Sequence, residues 1–465
     1  RMHLIPRYRQ RAVIPPLYAG HPTWEDDPHF SLDRHLRLVE LPAPGTMEQL
    51  RNLTAEIFAE MLPRDRPLWD MTMVHGLEGD RSAMISRVHH CLVDGVSGIE
   101  LLLAVLDMVP NPEPTPPPAE PWQPRPAPTP IQSWADAVAE QWNAGFRAAA
   151  DFQRSLLDPR SQFRAMTDIT RAVETAVPMM MHRPPQTSWN KAISGKRGTA
   201  WMEMNFQEVR GIRSRLGGTV NDVVLTILGG AFGRYMQMHG LPTADTKIRL
   251  MIPVNVRAEN EKGALGNRVS MMLPEIPVWI TSPAERLEEI RQETEQLKST
   301  EQAGAFEALR RLSDNLPAMF HALIGAGGVP PGLVNLVCTN VPGPLIPLFC
   351  VGHRMLAHYP LVPLAGDMGI GVGITSFDKG LYLGFMCDPE LVDDIDLLRE
   401  LAEDEFRLLR FVADVPVSDL PAFGAPAARN GREEALPDSQ PIEPEAQPEA
   451  QPELAASEPA HSPPA

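Results

Sequence analysis

Eleven of the 21 residues from Pro110 to Pro130 are proline. No helix or central strand runs through such a stretch, because each proline fixes its own φ and lacks the N–H that a ladder needs. The 465-residue chain is therefore divided before anything else is known about it. A second proline-rich stretch follows Pro416, so the foldable body is shorter than the chain but still long enough for two packed domains. The reading that follows is a first domain over residues 1–108, an extended polyproline-like linker over 109–130 and a helical crossover over 131–198. A second domain covers 199–413, and residues 414–465, rich in Pro, Ala and Glu, form a disordered acidic tail.

Charge and cysteines narrow the class. The formal net charge is −17, and residues 416–465 hold nine acids against two bases. No basic stripe is present to neutralise phosphates, so nucleic acid is excluded as a partner. Cys91, Cys338, Cys350 and Cys387 show no C-x-x-C spacing, which points to a reducing, cytoplasmic compartment. No apolar run reaches the roughly 18 residues of a spanning helix. The chain starts at Arg1 rather than Met, so the lack of a signal peptide there carries no weight, and an N-terminal segment is expected to be missing.

Periodicity supplies the elements. Leu50, Leu53, Ile57 and Met61 recur at helical spacing between Thr46 and Met61, with Pro63 beyond. Strand-like runs at 68–74 and 82–90, separated by Gly76-Leu77-Glu78-Gly79-Asp80, predict a hairpin. Residues 98–108 are apolar enough for a buried helix. Between 131 and about 181 the pattern is helical, and the stripe Trp134, Val138, Trp142, Phe146 reads as core packing. The second domain mixes strands (200–206, 248–256, 368–376, 380–386) with helices (220–238, 283–299, 305–324, 393–412). No strict βαβ alternation and no fixed repeat appear, so the class is mixed α/β.

Chemistry concentrates in Val88-His89-His90-Cys91-Leu92-Val93-Asp94-Gly95, where a strand meets a turn and then a helix. Successive strand residues face opposite ways, so His89 and His90 do not share a cavity. The segment alone leaves several readings open. Both histidines can be structural. They can be metal ligands with Asp94, although no H-x-x-x-H or H-E-x-x-H supplies the rest of a site. One imidazole, with a pKa of about 6.5, can serve as a general base. Serine nucleophile chemistry is weaker, since no G-x-S-x-G elbow exists.

The His-His-x-x-x-Asp-Gly run resembles the signature of the bacterial wax ester synthase/diacylglycerol acyltransferase family. Arg66-Pro67-Leu68-Trp69, Gly217 to Val224 with its Asn221-Asp222, Pro253-Val254-Asn255-Val256-Arg257, Gly266-Asn267-Arg268 and Thr339-Asn340-Val341-Pro342-Gly343-Pro344 are similar to further landmarks of that family, in family order. The resemblance runs from about residue 5 to 412. It implies two similar chloramphenicol-acetyltransferase-like domains with a substrate tunnel between them. The implied activity is transfer of a fatty acyl group from acyl-CoA to diacylglycerol, a long-chain alcohol or both, with acyl-CoA a substrate and no cofactor or metal expected. His90 is then the base, His89 a shaping neighbour, and Asp94, followed by Gly95, pairs with Arg257 across the domain boundary. Thr339 takes the place of a family serine as an oxyanion donor. For Asn221 and Asp222 helix capping is the reading that the residues themselves favour. Lipid products imply work at the inner membrane or a lipid inclusion, through an amphipathic segment such as 306–324; a core helix there is the competing reading. The alternatives are a condensation-like synthase acting on another hydroxyl or amine, and a non-catalytic lipid-binding protein of the same fold.

Overall fold

The computed structural model describes residues 1–14, 22–92, 95–129, 182–255, 269–299 and 331–418, with separate helical positions between 131 and 170. β1 (Gln10–Val13) and β2 (Thr23–Asp26) pair antiparallel at the N-terminus. β3 (Leu36–Glu40), β4 (Trp69–Leu77) and β5 (Arg81–Val88) make a three-stranded sheet in that order, β3 parallel to β4 and β5 antiparallel to it. The expected hairpin is present. Its loop takes Gly79 and Asp80 to φ 76° and 56°, the left-handed region that glycine and aspartate tolerate better than most.

α1 (Met47–Ala59) begins where a capping box allows. Thr46 Oγ1 accepts the Gln49 N–H at 3.2 Å, and Gln49 Oε1 accepts the Thr46 N–H at 2.7 Å, satisfying two of the donors a helix start leaves open. The apolar stripe, Leu50, Leu53 and Ile57, packs on Val74, Leu77 and Ile85 of the sheet. α2 (Gly95–Val105) follows the histidine segment.

The larger sheet opens with β6 (Gly198–Asn205), then α3 (Phe206–Leu216), α4 (Val220–Met238), β7 (Lys247–Asn255), β8 (Val269–Met272) and β9 (Glu275–Pro277). α5 (Pro283–Ser299), β10 (Leu336–Val341), the short pair β11 (Phe349–Cys350) and β12 (His353–Arg354), β13 (Ile370–Phe377), β14 (Gly380–Cys387) and α6 (Ile395–Val412) complete it. The strand order is β6-β14-β13-β10-β7-β8, with β9 also on β7; β10 is parallel to β13 and β7, and the other pairings are antiparallel. One face carries the main core. Ile370, Val372, Ile374, Leu383 and Phe385 meet Val224, Ile227 and Leu228 of α4 and Leu398 and Leu409 of α6. This is why the α4 sequence is apolar almost all round.

Two expectations change. The stripe at 134–146 is not core: Trp134, Trp142 and Phe146 are 48%, 66% and 68% exposed. Helical spacing reports a common face, not what covers it. Residues 110–129 of the proline-rich stretch form neither helix nor strand, and they are pinned. Arg125 grips both oxygens of Asp26 at 3.1 Å, Trp122 meets Phe30 edge-on, and Arg9 lies over the Trp122 ring at 4.7 Å. The 305–324 helix lies outside the described residues.

Candidate active site

β5 carries the histidines to the end of the smaller sheet. The last paired residue is Val88, opposite Trp69, and the His89 N–H still reaches the Leu68 carbonyl at 2.9 Å. A buried ion pair anchors this end. Arg87 is opposite Asp70 and holds its carboxylate at 2.9 and 2.5 Å, while its other nitrogen donates to the carbonyls of Ile57 and Glu60 at the end of α1. Behind it Trp69 stacks between Tyr8 and His35, with 4.4 Å between centroids in each pair. The Trp69 Nε1–H donates to the Tyr8 carbonyl, and His35 Nδ1 lies 2.8 Å from the Trp69 carbonyl, so Nδ1 carries the proton. Trp69 is a packing residue.

The alternation of β5 stops short of the two histidines. Ile85 and Arg87 face α1; Met84 and Val88 face α2 and its neighbours. β5 ends at Val88, so His89 and His90 stand beyond its alternation, His90 already in the turn that the Leu92 N–H closes on the His89 carbonyl. Both are exposed. His89 Nδ1 accepts the Cys91 N–H at 3.2 Å, which commits this ring to shaping the turn. Local burial, then Arg64 and then His90, lower its pKa. Among the described residues the His90 imidazole has no hydrogen-bond partner.

α2 fastens the turn to the larger sheet. Leu102, Leu103, Val105 and Leu106 pack with Leu348, Cys350, Met355, Ala357 and Tyr359, and with Phe377 and Tyr382 of β13 and β14. Residues 355–364 thus form a strap between α2 and the second face of the large sheet. Register explains its path. Trp201, Gly384, Gly373 and Thr339 lie side by side across β6, β14, β13 and β10, and the two glycines leave a trough. A Cβ on Gly384 would overlap the Pro360 carbonyl oxygen, and one on Gly373 would crowd it. Tyr359 then stacks on Trp201 at 4.9 Å and donates its hydroxyl to Glu203. Thr339 therefore shares a face with the strap.

Asn340, one residue on, faces the other way, and its Nδ2 donates to Asn221 Oδ1 at 3.4 Å. Asn221 and Asn340, 119 residues apart, are thereby joined where α4 begins. Asp222 is a cap, as the residues themselves suggested: it closes a capping box with Thr219 and accepts from Thr294 Oγ1 at 2.9 Å. Pro342-Gly343-Pro344 is a turn after β10, clipped by Ser376, whose Oγ accepts the Gly343 N–H at 3.1 Å.

Comparison with known proteins gives this arrangement its setting. The wax ester synthase/diacylglycerol acyltransferase catalytic domain matches residues 1–224, and the C-terminal domain of the same family matches residues 265–410. The chain belongs to the wax ester synthase/diacylglycerol acyltransferase family. A Mycobacterium tuberculosis protein named as a diacylglycerol O-acyltransferase is 32% identical over 84% of this chain and 83% of its own length. An O-acyltransferase of Acinetobacter baylyi is 26% identical over 84% of this chain and 83% of its own. A solved wax ester synthase/diacylglycerol acyltransferase from Marinobacter aquaeolei VT8, 23% identical, shares the fold with a TM-score of 0.61 over 88% of this chain and 86% of that one. The mixed α/β class and the O-acyltransferase activity follow from this membership.

Not every residue expected at the acyltransferase site can be placed. Asp94, Arg257, Gly266 to Arg268 and the partner relation between Asp94 and Arg257 lie outside the described residues; Gly95 opens α2. Among the described residues no three His, Cys, Asp or Glu side chains are arranged to hold a metal ion. The sequence reading missed the Arg87–Asp70 pair and the glycine trough. Arg87, two positions before the histidines, and Gly373 and Gly384 are visible in the sequence, but their pairing follows only from strand register.

Proposed function

We propose that this enzyme transfers a fatty acyl group from acyl-CoA to diacylglycerol, a long-chain alcohol or both, with His90 as the general base. The observation that carries this reading is the family match over both bodies of the chain, with the exposed His89-His90 pair at the open end of β5 inside the matched region. His90 Nε2 or Nδ1 removes the proton from the acceptor hydroxyl as its oxygen attacks the thioester carbonyl. The C–S bond then breaks, and the imidazolium returns its proton to the departing thiolate. No acyl-enzyme forms, so acyl-CoA and acceptor occupy the site together. Such positioned proton transfer contributes roughly 10²–10⁴ in rate, and alignment and oxyanion stabilisation supply the rest. Thr339, on the strap side of β10, is the candidate oxyanion donor. Asp94 with Arg257 is the candidate interdomain pair. The reaction is cytoplasmic and peripheral to the inner membrane or a lipid inclusion in this reading.

Thiol release from palmitoyl-CoA, with hexadecanol or dioleoylglycerol added separately, tests the acceptor. Release that depends on one or both acceptors is the expected result. Release without any acceptor, or none with either from a folded protein, would count against the assignment.

A further inference from the structure

An amphipathic helix with its apolar side in water is unfavourable unless something covers that side in use. The described residues between 131 and 150 are helical. Ile131, Trp134, Val138, Trp142 and Phe146 recur every three or four residues, which confines them to an arc of about 120° at 3.6 residues per turn. Ile131 is 79% exposed, and the three aromatic residues are exposed as given above. The Trp142 and Phe146 rings lie 6.2 Å apart, so they stand on one side. Gln132, Asp136 and Asn143, also exposed, fall outside the arc.

We propose that this aromatic face is where the enzyme seats on an uncharged lipid layer containing its acceptor, an inference that rests on the lipid acceptor argued above. Three observations select that occupant. Diacylglycerol and its acylated product are held in a lipid phase, so the active site must work beside one. Tryptophan and phenylalanine present large apolar bodies, and the indole N–H prefers the boundary between apolar and wet surroundings. The chain carries a net charge of −17, and the stripe contains no Lys or Arg. Attraction to an anionic surface is thus opposed by the charge, and the docking force is apolar area.

The test uses the full chain and flotation with phosphatidylcholine vesicles containing dioleoylglycerol. Wild type is expected to float with the vesicles, and neither added phosphatidylserine nor higher salt should strengthen that binding. Trp134→Ser/Trp142→Ser/Phe146→Ser should weaken it by on the order of a hundredfold or more. Trp142→Phe should retain it. Acyl transfer from palmitoyl-CoA to a water-soluble short-chain alcohol should run in the triple variant at the wild-type rate, while transfer to vesicle-borne dioleoylglycerol falls. Undiminished flotation of the triple variant would place the lipid surface elsewhere. Wild type that transfers to the short-chain alcohol yet binds no vesicle would sink the docking proposal and leave the acyltransferase assignment standing. A wild-type dimer that the triple variant converts to monomer would show a second copy on this face instead.

Discussion

His358 lies on the strap, and its Nδ1 has no hydrogen-bond partner among the described residues. Burial pushes its imidazole down to about 4 from an ordinary value of 6.5, and burial first lowers His35 in the same direction. Between pH 6.5 and about 4 the unfolded chain takes up a proton that the folded chain refuses, so stability is complete above 6.5 and falls as pH drops through that window. Carboxylates act lower down: Arg125 above all holds Asp26 below its ordinary 3.8, so that contribution fades only as pH falls below 3.8. A fall in melting temperature from pH 6.5 to 4, shallower in His358→Leu than in wild type, is the expected outcome. An unchanged slope in the variant would mean that this imidazole does not titrate as its burial requires. At this scale the adjacent histidines and Asp222 as a cap were legible from local chemistry. Arg87 with Asp70 was not, because a pairing across a hairpin depends on register.

At the scale of elements, the strap is the piece that joins the histidine turn to Thr339. It runs against the sheet because glycines at 373 and 384 are neighbours across β13 and β14. Gly384→Ala should destabilise by about 1–3 kcal/mol, the usual cost of forcing atoms into a filled site, and should lower activity by shifting Tyr359 and the packing against α2. Gly98→Ala in α2 is the matched control. A Cβ there meets nothing within 4 Å, so the helix should gain about 0.5–1 kcal/mol. Thermal unfolding with thiol-release assays distinguishes the two; equal effects would undo the trough argument. The long helices α4 and α5 were read from periodicity to the residue, since apolar spacing and caps bound them. β1 to β3, β8 to β12 and α3 were not, because short strands and a polar helix have too little pattern of their own. The strap had none at all: its course is written in the glycines of other strands.

Across the whole molecule, two sheets of unequal size meet through α1, α2 and the strap. α1 reaches the larger sheet where Arg51 pairs with Asp396 and its carbonyl accepts from Thr199 Oγ1 at 3.1 Å. The mixed α/β class was legible, because mixed periodicities exclude an all-α or strictly alternating fold. The fate of the 134–146 stripe was not, because whether an apolar face is covered is a property of the assembled molecule. Among the described residues no single helix is long and apolar enough to cross a membrane.

In the proposed mechanism one imidazole of the adjacent pair does the chemistry and the other holds the turn. The direct test is acceptor-dependent thiol release from palmitoyl-CoA by wild type, His90→Ala and His89→Ala, each checked for its fold by circular dichroism and melting temperature. The account requires His90→Ala to lose roughly 10²–10⁴ of the rate with an unchanged melting temperature, and His89→Ala to keep more of the rate while melting lower. Full activity in a folded His90→Ala, or the reverse ranking of the two variants, would contradict it.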